Sequence, residues 1–225
     1  MMNALLIETS ASTCSAALAS NGRIIKAFRS DELMQHAVHL PKYIEEAVAL
    51  ARSGNITIDA VAVSGGPGSY TGLRIGVSTA KGLCYALGAK LIAVNTLNLI
   101  ALEFATSHLD IPSGSRIIPM IDARRMEVFT QQYTDNVTPF SEAEAKIIDG
   151  DSFSDANCQL FLCGSGASKC SIIRNSNVNI IPDVIPLAND NMLKLATQAY
   201  DNGDFEDVAY YEPFYLKEFY TTSKS

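Results

Sequence analysis

The chain has 225 residues, 48% hydrophobic and 18% charged, which excludes a disordered polymer and is ample for a core without metals or disulfides. No run reaches the roughly 18–20 apolar positions of a membrane span, and Met1-Met2-Asn3 meets Glu8 after four apolar residues, unlike a secretory signal. Five scattered cysteines predict reduced thiols in a cytoplasm, and the net charge of −7, carried by residues 111–225 with no basic stripe, argues against direct, strong nucleic-acid binding.

Residues 4–9 form a short apolar run that predicts a strand. Residues 15–19 and 23–28 flank Asn21-Gly22, a type I′ hairpin signal because both turn residues tolerate positive φ. A helical pattern follows over 36–52, with Leu40, Ile44, Ala47, Val48 and Ala51 spaced by three and four. Pro41 is expected in its first turn, where a missing N–H costs little. Residues 59–64 predict a buried strand, 71–87 a helix, 90–94 a strand and 97–106 a helix. In the second half, 116–122 and 127–133 predict two strands joined by a tight turn, and 143–149 a third. Residues 159–163 predict a strand entering Gly164-Ser165-Gly166 and a short helix, 178–181 a strand, and 189–200 a helix. A three-strand meander followed by alternating strands and helices thus occurs twice. That order predicts two related α/β domains, 1–110 and 111–225, with the aromatic tail 210–225 packed back on the body.

The segment 64–83, SGGPGSYTGLRIGVSTAKGL, is the richest in signals. A strand ends, Gly65, Gly66 and Gly68 turn the chain, and a helix starts after Ser69. Glycine frees backbone amides to face outward, and a helix N-terminus adds partial positive charge; together they make an anion seat. The pattern is neither a Walker A loop nor GxGxxG, since Thr71 stands where the third glycine belongs. A tight strand–helix connection without ligand explains the residues equally well. Gly164 and Gly166 after a later strand, and the turn around Thr9 and Ser10, would be further sides of the same nucleotide- or phosphate-facing cleft. Within the helix, Gly72, Gly76 and Ala80 share one face, beside Leu73 and Val77. Two glycines there cost about 1 kcal/mol each relative to alanine, so another element must come close, either the helix from His36 or another chain. Catalytic signals are poor. His36 and His39 have no third ligand, and no HExxH, CxxC, GxSxG or paired-carboxylate pattern occurs. Asp122-Ala123-Arg124-Arg125 reads as a salt-bridged turn.

These residues resemble the bacterial TsaB (YeaZ) family of tRNA threonylcarbamoyladenosine biosynthesis. The resemblance rests on residues 64–83 followed by Val94-Asn95-Thr96-Leu97, on Ile7-Glu8-Thr9-Ser10, on His36-Ala37 with Leu40-Pro41, on Ile121-Asp122-Ala123-Arg124-Arg125 with Glu127-Val128-Phe129, and on Pro213-Phe214-Tyr215-Leu216. It implies a fold of two ribonuclease-H-like subdomains of the actin/hexokinase superfamily. It also implies a non-catalytic subunit that holds a catalytic paralogue, TsaD, in an active arrangement. A TsaE-type ATPase completes the set, tRNA is met only indirectly, and the chain alone forms a homodimer.

The catalytic paralogues carry two metal-binding histidines where this chain has Thr96 and Ile100. Isoleucine cannot ligate a metal and neutral threonine is a poor substitute for imidazole, so neither metal nor any required cofactor is expected, and an old glycoprotease label loses its chemical support. The expected partner contact is the pair of N-domain helices, through His36, Leu40, Ile44, Ala47, Gly72, Leu73, Gly76, Val77 and Ala80. ATP or ADP at or near that contact is the further expectation. The competing function is an ATPase or kinase of the same superfamily, using the Gly65–Gly68 and Gly164–Gly166 turns with Glu8 or Asp122.

Overall fold

The structure is a computed structural model; it describes residues 2–32, 35–108 and 110–217. The first sheet takes β1 (Ala4–Glu8), β2 (Cys14–Ser20), β3 (Arg23–Ser30), β4 (Ala60–Gly66) and β5 (Lys90–Asn95), in the order β3-β2-β1-β4-β5. The first three strands run antiparallel, and β4 and β5 add in parallel beside β1. The second sheet takes β6 (Arg116–Asp122), β7 (Glu127–Thr130), β8 (Tyr133–Thr134), β9 (Glu144–Ile147), β10 (Leu160–Cys163) and β11 (Val178–Ile181). Its order β11-β10-β6-β7-β9 repeats the first, with β6 in the place of β1, and β8 pairs with β6 off that path. The duplicated strand order matches the two related α/β halves expected from the sequence.

Alternation along the strands explains why the first sheet is dry on both sides. Leu5, Ile7, Ala16, Leu18, Val61 and Val63 face α1 (His36–Ser53) and α2 (Tyr70–Leu87), meeting Leu40, Ile44, Ala47, Val77 and Ala80. The opposite face is set with small residues, Ala4, Ala17, Ala19, Ala60 and Ala62, which let α4 (Asp190–Asn202) lie close through Met192, Leu193 and Ala196. Alanine there costs core volume but brings a whole helix into contact. α3 (Thr96–Ser107) follows the first sheet in sequence yet covers the second, where Leu97, Ile100, Ala101 and Phe104 pack on Ile117, Ile121 and Cys163. Each half therefore lends one helix to the sheet of the other, and a cut at residue 110 would part α3 and α4 from the sheets they cover.

Helix ends follow their capping residues. Asn95 Oδ1 accepts from Asn98 N at 3.0 Å, Asn189 accepts from Asn191 N and Met192 N, and Gly88 and Gly203 close α2 and α4 in the left-handed conformation. Pro41 is the sixth residue of α1, one turn deeper than expected, so the bond it cannot make is to the carbonyl of the exposed Ala37. The hairpin at Asn21-Gly22 has φ of 53° and 76°, as the type I′ signal predicts.

The second half departs from the expected pattern in two places. The strand over 127–133 breaks into β7 and β8. The expected helix after Gly166 is a 3-10 turn, Ala167–Ile172. No helix joins β9 to β10; loop 148–159 crosses that face and leaves an open hollow of about 540 Å³ beside Asp149, Asp151 and Phe153. All five cysteines are unpaired, and burial pushes the thiols of Cys14, Cys84 and Cys170 up to about 11, which keeps them inert. Among the described residues no helix is long and apolar enough to cross a membrane. The tail is described to Lys217; residues 218–225 lie outside the described residues.

Candidate functional site

The two Gly turns stand at the carboxyl ends of equivalent strands, β4 and β10, where an open α/β sheet gathers its loops. Between them lies the polar end of β1. Glu8 is fully buried and accepts from Ser10 N and Ser10 Oγ at 2.6 Å each, while Ser64 Oγ donates to its other oxygen. Burial outweighs these donors and raises the carboxyl from 4.5 to about 7. Glu8 thus ties the β1–β2 turn to the end of β4.

That turn accounts for the glycines of α2. Thr9 lies across the helix, its hydroxyl donating to the Gly72 carbonyl at 2.8 Å. A Cβ at Gly72 would strike the Thr9 carbonyl, and one at Gly76 would strike the Thr9 hydroxyl. The chain's own loop, not another helix, is what the small residues admit. Leu73, Val77 and Ala80 face the sheet with them, as do Leu40, Ile44 and Ala47 from α1. His36 is buried too, its Nε2 3.0 Å from the Ala11 carbonyl. The nine residues expected at a partner contact are buried within the chain, their stripe packed on the sheet, and Ile44 also reaches the open groove between the two helices.

The outward faces of the same helices are different residues. Between α1 and α2 runs an open groove of about 640 Å³, walled by Pro41, Glu45, Val48 and Ala49 on one side and Thr79 and Leu83 on the other. Gly82 stands next to it on the outer surface of α2, exposed, and a Cβ there would meet nothing within 4 Å. Unlike Gly72 and Gly76, it has no intramolecular reason to be glycine. The groove escapes a search for the strongest apolar stripe because its wall mixes Ala, Thr, Val and Glu; the signal that marks it is a mid-helix glycine off the core stripe.

The Gly turns are filled by the chain itself. A side chain at Gly65 would meet the Tyr211 hydroxyl, one at Gly66 (φ 108°) the Phe214 carbonyl, and one at Gly68 the Ser10 carbonyl at 2.6 Å. Ser69 N is used by Ser10 O at 2.8 Å, and Gly72 N is capped by Ser69 Oγ. Gly164 (φ 101°) packs on Met120 O and Ile100, and Gly166 on Val128 and Ile121. Close packing within the chain thus accounts for each of these glycines. Asp122 pairs with Lys169 at 2.8 Å and accepts from Arg124 N, so its turn is held by a lysine from the other side of β6 rather than by the arginine side chains.

Thr96 and Ile100 are both buried at the start of α3, one turn apart. Among the described residues, Thr96 Oγ1 finds no hydrogen-bond partner. Removing an unsatisfied buried hydroxyl at constant shape is favourable, so Thr96→Val is expected to raise stability by about 1 kcal/mol in urea denaturation; a lower midpoint would contradict it. Among the described residues no three His, Cys, Asp or Glu side chains group as a metal site.

Comparison with known proteins gives a consistent family. The family described as "TsaD: tRNA N6-adenosine threonylcarbamoyltransferase" matches residues 32–164. The tRNA threonylcarbamoyladenosine biosynthesis protein TsaB of Escherichia coli K12 is 27% identical, over 96% of this chain and 95% of its own length. The tRNA N6-adenosine threonylcarbamoyltransferase of Bartonella bacilliformis is 44% identical, but over 32% of this chain and 20% of its own length. The crystal structure titled "YeaZ from Pseudomonas aeruginosa" superposes with a TM-score of 0.77 at 25% identity, covering 96% of this chain and all of that one.

Proposed function

The chain belongs to the threonylcarbamoyltransferase family, in its TsaB/YeaZ branch, and we propose that it serves tRNA threonylcarbamoyladenosine biosynthesis as a non-catalytic subunit that docks a TsaD-type catalytic paralogue through the groove between α1 and α2. The observation that carries this reading is the contrast in coverage: end to end with a TsaB protein, one fifth of a transferase. The transferase family model matches residues 32–164, a stretch that takes in parts of both sheets. The buried Thr96 and Ile100, at positions where the catalytic paralogue is expected to carry metal-binding histidines, offer a hydroxyl and a hydrocarbon instead.

The groove supports the docking surface. Val38, one helical turn before Pro41 on the same face of α1, adds exposed apolar area beside it at 49%. Gly82 and Ala49 let a second helix pair approach closely, and the two charged side chains that line the groove, Glu45 and Arg52, are of opposite sign. The direct test is size-exclusion chromatography with light scattering on this protein mixed with the catalytic paralogue of the same organism. A stable heteromer is expected. Ala49→Arg, on an exposed helix position, is expected to leave the melting temperature unchanged and weaken the heteromer about 100-fold or more, the loss typical of a blocked interface centre. Wild-type affinity in that variant would remove the groove as the interface.

A further inference from the structure

The C-terminal segment touches more of the molecule than a loose tail would. After α4 it returns to the edge of the first sheet, where Glu206 N donates to Leu91 O at 2.9 Å and makes an antiparallel bridge. Lys81, on the flank of α2 away from the groove, donates to the carbonyls of Ala209 and Tyr211 at 3.0 and 3.1 Å. Tyr211 then enters the first core, and burial pushes its hydroxyl up to about 12. Phe214 N donates to Gly65 O at 2.7 Å, so the segment lies on the first Gly turn. Tyr215 sits 5.0 Å from the Tyr70 ring, and the Arg74 guanidinium lies 4.2 Å over Tyr70. Finally Lys217 Nζ reaches Glu127 Oε2 at 2.6 Å, on β7 of the second sheet.

We propose that residues 206–217 form a clasp that joins the first sheet to the second and holds the first Gly turn closed. One end is woven into the edge of the first sheet, the middle is pinned to α2 by Lys81 and to the end of β4 by Phe214, and the far end is fastened to the second sheet by Lys217. Gly65, Gly66 and Pro67 are buried beneath it. Any change in the angle between the sheets must stretch or release this segment, and anything reaching Gly65–Gly66 must first lift Tyr211 and Phe214. The inference stands whether or not the proposed docking partner is right.

Hydrogen–deuterium exchange of the full chain, read by mass spectrometry, tests it. Lys217→Glu and Glu127→Lys are each expected to speed exchange of segment 211–217 and of 64–70 about two- to fivefold, the range of a surface ion pair. The double reversal, which restores the pair with opposite sense, is expected to return both segments to the wild-type rate. Lys81→Met keeps the packing of the side chain and removes the donor to two carbonyls; it is expected to speed 209–215 about tenfold and to speed 122–130 in the second sheet as well. Merely local packing would not move that second segment. A double reversal that exchanges as fast as the single variants, or a Lys81→Met protein whose 122–130 segment keeps the wild-type rate, would overturn the clasp. Segment 14–20 in the first sheet serves as the control: if Lys81→Met raises its exchange, the charge-reversal cycle decides alone.

Discussion

Gly76→Leu is expected to cost the protein about 3 kcal/mol or more, while Gly82→Leu, six residues on in the same helix, is expected to stabilise it. The first side chain has nowhere to go. Its Cβ would overlap the Thr9 hydroxyl, with Val63 Cγ2 behind at 3.3 Å. Thr9 cannot step aside cheaply, since its hydroxyl is bonded to the Gly72 carbonyl and its neighbour Glu8 is bonded to both Ser10 and Ser64. The collision would propagate into the end of β1 and the Gly65–Gly68 turn, and interiors this dense do not absorb such a volume. At Gly82 the added atoms meet open space, and leucine in place of an exposed helical glycine gains about 0.8 kcal/mol from propensity. Chemical denaturation of the two variants against the wild type checks both signs. If the α1–α2 groove is the docking surface, the same Gly82→Leu protein, better folded than the wild type, should lose its partner by about 100-fold. A loss of binding in Gly76→Leu, by contrast, would carry no information about an interface, because it would follow from unfolding.

The difference between these two glycines marks how much the sequence could disclose. Periodicity places a stripe on a helix but does not say what lies against it. Gly72, Gly76 and Ala80 announce a close approach, and the approaching group, Thr9, comes from 63 residues earlier. Local signals did better. Alternating apolar residues, the Asn21-Gly22 turn and the glycines after α2 and α4 set the elements of the first half to within a residue or two, because each depends on neighbours in sequence. The exchange of α3 and α4 between the sheets was not legible, since both helices are apolar enough to cover either sheet. What favours the crossed arrangement is visible only in three dimensions: the row of alanines on the far face of the first sheet, and the carboxylate of Glu103 on α3 accepting from Asn189 and Asn191 at the head of α4, at 2.6 and 2.8 Å. The site suffered in the same way. Glycines that read as an anion seat turn out to be room for Tyr211, Phe214 and Ser10, two of which come from the last 15 residues of the chain.

Glu8→Gln is expected to change the pH dependence of stability more than any other single substitution here. In the folded protein the carboxyl is pushed up to about 7 by burial, against 4.5 for the free group, with the carboxyl of Glu103 and the thiol of Cys14 among its titratable neighbours. Between these values the native state keeps a proton that the unfolded state has released, so stability falls as pH rises from 4.5 towards 7 and levels off above it. A shift of this size corresponds to about 3 kcal/mol. Glutamine is neutral at every pH. Its Oε1 can accept from Ser10 N and Ser10 Oγ as the carboxyl does, and its amide N–H can donate to Ser64 Oγ, so the three bonds survive with one direction reversed. The variant should match the wild type near pH 4.5 and exceed it by about 3 kcal/mol at pH 8, with the difference opening between those points. Urea denaturation of both proteins at half-unit steps of pH reads this directly, because every other titrating group cancels in the comparison. A difference that stays constant with pH would mean that Glu8 titrates in the folded protein as it does in the unfolded chain and is ionised above pH 4.5. The Ser10 and Ser64 donors would then be holding a buried anion, and the end of β1 would carry a negative charge in place of a proton.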